Sequence, residues 1–278
     1  MEYINISPNL ELEIRKEFSL RLLNFKVLKK WIEDAVGQMV IHDSSLYRCS
    51  TRVKEISSVL RKIDDKISVS KNKIKQNKAT PEYLAWVNAK NYADIEPLID
   101  DWVGCRIISY LHDHLPNLHQ SICNHDRLVV AKITVHDSEE EPQFKNIKLS
   151  KKRGDELRYS KNGYIGIHYI IKPRTVDPCF NSHPVVFDKF ELQIRTLLQE
   201  TWGQIQHQAI YKGRLPEDIK SERDAGFQDL AKLLRTCDHM LARLAKDNTI
   251  KAPQDNSKYL RPESVTTKRV HRQKPLKF

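Results

Sequence analysis

Four runs rich in β-branched and aromatic residues, Val103–Tyr110, Leu128–His136, Tyr164–Lys172 and Val185–Ile194, constrain this chain's fold more than any other feature. Each has the length and composition of a strand, and strands bury their apolar faces only in a sheet that other elements cover. The covering elements are legible on either side. Residues 10–41 carry Ile14, Phe18, Leu22, Phe25, Leu28 and Ile32 at helical spacing. Tyr47–Lys66 reads as a basic helix through Ile56, Val59, Leu60 and Ile63, and Lys66–Lys78 as its exposed polar end and loop. Arg195–Tyr211 is predicted as a helix with the stripe Leu198, Trp202, Ile205 and Ala209. A further helix over Glu222–Lys246 places Phe227, Leu230, Leu234, Cys237, Leu241 and Leu244 at alternating steps of three and four. That seam is too short for an independent coiled coil, so it is expected to pack on the same domain, with a homo-oligomer contact as the alternative. The polar segment from Asp137 to Asn162 is long for a structureless connection, and such loops are functional or disordered. The class is therefore α/β (α+β), with a strand-built centre and helices at both ends.

Composition narrows the partners. With 278 residues, 40% of them hydrophobic, the chain can bury a sizeable core, and no apolar run approaches a membrane span. Met1–Leu10 lacks the pattern of a signal peptide. The five cysteines, Cys49, Cys105, Cys123, Cys179 and Cys237, are scattered without a C-x-x-C, which excludes a disulfide framework or zinc knuckle and fits a reducing cytoplasm. Cys105, inside a strand, reads as core packing, and His112, His114, His119 and His125 read as a polar connection rather than a metal site. Lysine and arginine number 47 against 36 acids, a net charge of +11. Residues 251–278 hold eight basic and two acidic side chains, so this tail alone contributes +6 and reads as disordered. Polyphosphate or nucleic-acid partners follow from such an excess.

Four segments carry the chemistry. In Glu191-Leu192-Gln193-Ile194-Arg195-Thr196, strand alternation puts Glu191, Gln193 and Arg195 on one face and Leu192 and Ile194 in the core. Asp101-Trp102-Val103-Gly104-Cys105-Arg106 sets an acid at the start of a buried strand and an arginine within it, and arginine is seldom buried without an anion. On neighbouring strands Asp101 and Glu191 are suited to share one Mg²⁺, which takes few carboxylates plus substrate phosphate oxygens. In Lys161-Asn162-Gly163-Tyr164-Ile165-Gly166-Ile167-His168, Tyr164 and His168 project from one face, and Gly166 is expected to leave space beside the ring for a stacked base. The stretch from Arg52 to Lys62 offers cations and a helix N-terminus to phosphates.

Together, over about residues 40–212, these segments resemble the synthetase domain of the RelA/SpoT family, the nucleotide pyrophosphokinases that make guanosine penta- and tetraphosphate. The resemblance implies a mixed central sheet of nucleotidyltransferase type. It implies that Asp101 ligates Mg²⁺ and that Glu191 assists the metal and deprotonates the attacking 3′-hydroxyl. Arg52, Lys54, Ser58 and Lys62 match the R-x-K…S…K pattern that holds the phosphates of the ATP donor, with Arg106 joining them. Tyr164 matches the tyrosine that stacks on the acceptor guanine, with Lys161, His168 and Gln193 near the acceptor. The implied arrangement is an N-terminal helical extension (1–40), a pyrophosphokinase domain (41–213), a C-terminal helical extension (214–250) and the basic tail (251–278).

The family's Y-R-S-x-H is here Tyr164-Ile165-Gly166-Ile167-His168, the lysine lies three rather than four before the tyrosine, and Gln206-His207-Gln208 stands where E-H is usual. These departures fall around the acceptor. Two acceptors therefore stay open: GTP or GDP, or the 3′ end of tRNA, as in toxic members of the family. The second reading brings an antitoxin protein as an expected partner. A catalytically dead nucleotide-binding or RNA-binding module is disfavoured because Asp101, Glu191, Arg106 and Tyr164 are all present.

Overall fold

The computed structural model describes residues 5–41, 45–139, 142–159, 163–174, 189–206, 208 and 217–246. Lys161, Cys179 and the basic tail lie outside them, as does the start of the fourth predicted strand. In chain order the described residues form α1 (Pro8–Ile41), β1 (Leu46–Val53), α2 (Ile56–Lys75), α3 (Pro81–Asn88), α4 (Tyr92–Ile95), β2 (Val103–Ser109), α5 (Leu115–Cys123), β3 (Leu128–Asp137), β4 (Glu156–Tyr159), β5 (Gly166–Pro173), β6 (Phe190–Thr196), α6 (Leu197–Gln206) and α7 (Glu217–Lys246).

The six strands make one mixed sheet in the order β1-β2-β6-β5-β3-β4. β2 runs parallel to β6 and β4 parallel to β3, while the other neighbours are antiparallel. Alternation gives the sheet two chemically distinct faces. One is apolar: Val103, Cys105, Ile107, Leu192, Ile194, Ile167, Tyr169, Ile171, Ile133 and Val135 are buried there. The helices α1 and α5 cover it, and Trp31 of α1 sits edge-on to Phe190, 6.3 Å between centroids. Burial of roughly 1.5–3 kcal/mol per large side chain holds these layers together. The other face carries the register rows Ser50–Arg106–Gln193–His168–Thr134 and Arg52–Gly104–Glu191–Ile170.

Three sequence readings need correction. Leu46–Val53, within the stretch predicted as helix, is an edge strand, and α2 starts only at Ile56. Edge strands need not alternate, and here pairing with β2 rather than side-chain periodicity makes the strand. The helix predicted from Arg195 starts only at Leu197, because Arg195 and Thr196 close β6, and Ile205, predicted on its buried stripe, is exposed. The described residues of the segment after β3 are held by two aspartates. Asp137 accepts backbone N–H bonds from Ser138, Gln143 and Phe144 at 2.8–2.9 Å, and Asp155 accepts from Ile133 and Ser150 at 2.8 and 2.7 Å. Buried carboxylates satisfied by backbone donors replace the missing apolar core of such a loop. Among the described residues no helix is long and apolar enough to cross a membrane.

Candidate active site

Asp101 reaches the polar face because the next residue is anchored. Trp102 stacks on Phe25 of α1 at 5.6 Å and 8° and packs against Phe18 and Tyr92. Lys54, just beyond β1, donates its backbone N–H to the Trp102 carbonyl at 2.9 Å, which sets its side chain beside the acid. The two carboxylate oxygens of Asp101 accept from Lys54 Nζ at 2.6 Å and from Lys62 Nζ, nearly two helical turns into α2, at 2.8 Å. Burial pushes the Asp101 carboxyl upward, but the charges and hydrogen bonds of Lys62 and Lys54 outweigh it and hold it below its usual range. Burial lowers Lys54, against the pull of Asp101.

Glu191 lies on β6 directly beside Gly104 of β2, three residues beyond Asp101. His168 Nδ1 is 3.0 Å from Glu191 Oε1, and Gln193 Nε2 donates to Oε2 at 2.7 Å. Burial again pushes this carboxyl up; the His168 and Gln193 bonds and the Lys62 charge win, bringing it to about 2. An ionised carboxylate only accepts, so Nδ1 carries a proton, and the other ring nitrogen, Nε2, lies 2.6 Å from Tyr164 Oη. Tyr164, His168 and Glu191 are thus one relay. The hydroxyl of Tyr164 fills the space above Gly166, where a Cβ would come within 3.2 Å of it. The expectation of open space over that glycine is therefore corrected: the tyrosine itself occupies it. Arg195 covers one face of the Tyr164 ring at 4.9 Å, with His136 edge-on at 5.2 Å and Trp202 at 6.3 Å.

Two clefts meet at the acids. The first, about 250 Å³, is lined by Arg48, Arg52, Arg106, Gln193 and Glu200. The second, about 320 Å³, is lined by Lys62, Lys66, Lys132, Arg158 and His168. Asp101 and Glu191 line both. Of the sequence-derived set, Arg52, Lys62, Arg106, His168, Gln193 and both acids line these clefts. Lys54 and Tyr164 line neither but bond to Asp101 and His168 respectively, Ser58 is exposed on the first turn of α2 and lines neither, and Lys161 is outside the described residues. Sequence reasoning missed Glu200. It accepts from Arg106 Nη1 at 2.7 Å and Arg195 Nη1 at 3.2 Å, and so holds two guanidiniums under the first cleft. Gln193 Oε1 accepts from the same pair, at 3.3 and 2.5 Å. An acid in the first turn of a helix ordinarily reads as solvated, and the only signal was the reciprocal cap that starts α6: Thr196 N–H donates to Gln199 and Gln199 N–H to Thr196.

Among the described residues no three His, Cys, Asp or Glu side chains converge on one point, so a metal would have a pair of carboxylates to bind. That pair fits a hard ion such as Mg²⁺, which completes its shell with water and phosphate oxygens. The ammonium groups on both oxygens of Asp101 show that the position already draws positive charge. Two acids between cation-lined clefts can hold a polyphosphate in one cleft and a hydroxyl-bearing acceptor in the other.

Comparison with known proteins agrees with this geometry. A profile of the region found in RelA / SpoT proteins matches residues 51–215, so the chain belongs to the RelA/SpoT family. Among particular relatives, GTP pyrophosphokinase YwaC of Bacillus subtilis (strain 168) is 21% identical over 223 residues, covering 79% of this chain and 94% of that protein. Small alarmone synthetase 1 from Bacillus subtilis, bound to its product pppGpp, superposes with a TM-score of 0.54 at 17% identity, covering 84% of this chain and 98% of that one. Small alarmone synthetase 2 from the same organism gives 0.54 at 18%, covering 83% and 99%. The shared fold is that of the small alarmone synthetases.

Proposed function

We propose that the chain is a cytoplasmic pyrophosphokinase that moves the β,γ-pyrophosphate of ATP to the 3′-hydroxyl of GTP or GDP, with Mg²⁺ as cofactor. The observation that carries this reading is the shared position of Asp101 and Glu191 on the ridge between two cation-lined clefts. The names of the relatives point to the same chemistry.

ATP lies in the first cleft, its phosphates met by Arg52 and Arg106 and, beside Asp101 where the two clefts meet, by Lys54 and Lys62, while Ser58 borders the helix start. The acceptor lies on the His168 side, with its base against Tyr164 and its ribose near Gln193; Lys161, three residues before Tyr164 in the sequence, is proposed to join them. The 3′-oxygen attacks the β-phosphorus, the bond from that phosphorus to the α,β-bridging oxygen breaks, and AMP leaves with the bridging oxygen. Asp101 and Glu191 would hold a Mg²⁺, which would supply charge for the phosphate oxygens. Lys54 and Lys62, which bond Asp101 at 2.6 and 2.8 Å, would stand beside the same phosphates. Glu191 is ionised before the attack and receives the hydroxyl proton as it proceeds; at about 2 it is a weak base, so holding the ion is its larger part. Residues 41–213 carry this chemistry, with 1–40 and 214–250 as helical additions in sequence.

The test is to incubate the full chain and Mg²⁺ with γ-labelled ATP and offer GDP, GTP or deacylated tRNA. Label on the guanine nucleotide is expected. Label on tRNA alone would overturn the acceptor assignment, and label on none would overturn the activity.

A further inference from the structure

A third cavity, of about 390 Å³, opens on the far side of Tyr164, between α7 and the ends of β3 and β4. Tyr159, Tyr164, Gln228, Lys232 and Arg235 contribute to its wall. Arg235 is the unusual member. It is only 5% exposed, yet its Nε and Nη1 have no hydrogen-bond partner among the described residues. Burying a guanidinium without an anion is costly, and native structures rarely leave one so. The nearby buried acid does not answer it, because the oxygens of Asp137 are taken by the backbone N–H groups of Ser138, Gln143 and Phe144. Glu139 at the mouth is exposed.

We infer that this cavity is a phosphate-binding site: Arg235 presents its donor fork to a phosphoryl group, Lys232 adds charge at the rim, and Gln228 adds a polar side chain from the same helix. The site goes beyond the proposed reaction, since none of that chemistry uses α7. It is also wired to it. Tyr164 forms part of the wall and bonds through His168 to Glu191, so an occupant touches the first member of the relay. The phosphate can come from two sources, the 5′-phosphates of an acceptor reaching past Tyr164 or a separate phosphorylated effector.

Inorganic tripolyphosphate is the probe, titrated into the full-length chain while the Arg235 Nε–H resonance is followed by NMR. A saturable shift of that resonance is expected, along with a calorimetric binding event weakened about tenfold or more in Arg235→Gln. Lys232→Gln, at an exposed position, weakens the same event without any risk to folding. An Arg235 resonance that does not move, or calorimetric stoichiometry and affinity unchanged in both variants, overturns the site. Neither readout needs turnover, so the result is independent of the proposed activity. With the site present, Lys232→Gln separates the sources: a raised acceptor KM at constant kcat means substrate phosphates, and an unchanged KM with a rate that responds to tripolyphosphate means an effector.

Discussion

At the scale of single residues, the acids and the groups that hold them decide what the site does. Asp101→Asn and Glu191→Gln are expected to lower transfer at least about a hundredfold with circular dichroism unchanged, because each removes charge on which the ion depends. Robust turnover by either variant would falsify the metal assignment. Glu191 also predicts an acid-range signature. Its folded value of about 2 lies below the ordinary 4.5, so the group adds stability above pH 4.5 that is lost as pH falls toward 2. Glu191→Gln should therefore show a flatter fall in stability between pH 5 and pH 2 than the parent in urea titrations. Glu200 carries a different role. Removing it in Glu200→Ala leaves the guanidiniums of Arg106 and Arg195 facing each other, which should cost about 3 kcal/mol and raise the KM for ATP. Alternation along β6 made Glu191, Gln193 and Arg195 legible as one face; the acid that holds Arg106 and Arg195 was not, because it comes from the next element.

Among the elements, α7 departs furthest from its sequence reading. The seam through Leu230, Leu234 and Leu241 is only half-buried, while Ala231, Arg235, Asp238 and Ala242 are buried. The buried stripe lies one residue along and is partly charged, because α7 packs on polar anchors as well as on apolar surface. Asp238 accepts from Thr196 Oγ1 at 2.7 Å, and Gly163 meets the helix where a Cβ would come within 2.5 Å of Ala231. Burial raises the Asp238 carboxyl to about 6, against the Thr196 bond and the His239 charge. A raised acid favours folding while protonated, so that contribution is present below pH 3.8 and fades as pH rises through 6. Asp238→Asn should accordingly stabilise the protein by about 2 kcal/mol at pH 8 and remove the dependence between pH 4 and 6 in thermal melts. Gly163 has φ +83°, so Gly163→Ala adds backbone strain to the clash and should cost about 2 kcal/mol while displacing Tyr164. A melting temperature equal to that of the parent would remove this account of the loop.

On the scale of the whole molecule, the site depends on a core that runs beneath the sheet into α1. Ile14, Leu28, Trp31 and Ile32 belong to the same cluster as Leu192 and Ile194, so deleting residues 1–40 is expected to abolish cooperative unfolding rather than trim an appendage. Phe25→Ala, which removes the ring stacked on Trp102, should cost about 3–4 kcal/mol and reduce turnover by loosening Asp101. Deleting residues 251–278 should leave transfer to guanine nucleotide unchanged, as measured by the labelled-ATP assay. The sequence by itself determined the sheet-and-helix class, the core face of β6 and the residue types at the site, because side-chain alternation and helical spacing are local properties that a single strand or helix expresses alone. Tertiary pairing decided the rest. Leu46–Val53 became a strand because β2 offered it an edge, and Gly104 came to lie beside Glu191 because β2 and β6 pair in parallel across more than eighty residues. Arg235 was enclosed because α7 folded back over the ends of β3 and β4. Each is a contact between segments far apart in the chain, and no local period encodes the partner a segment meets.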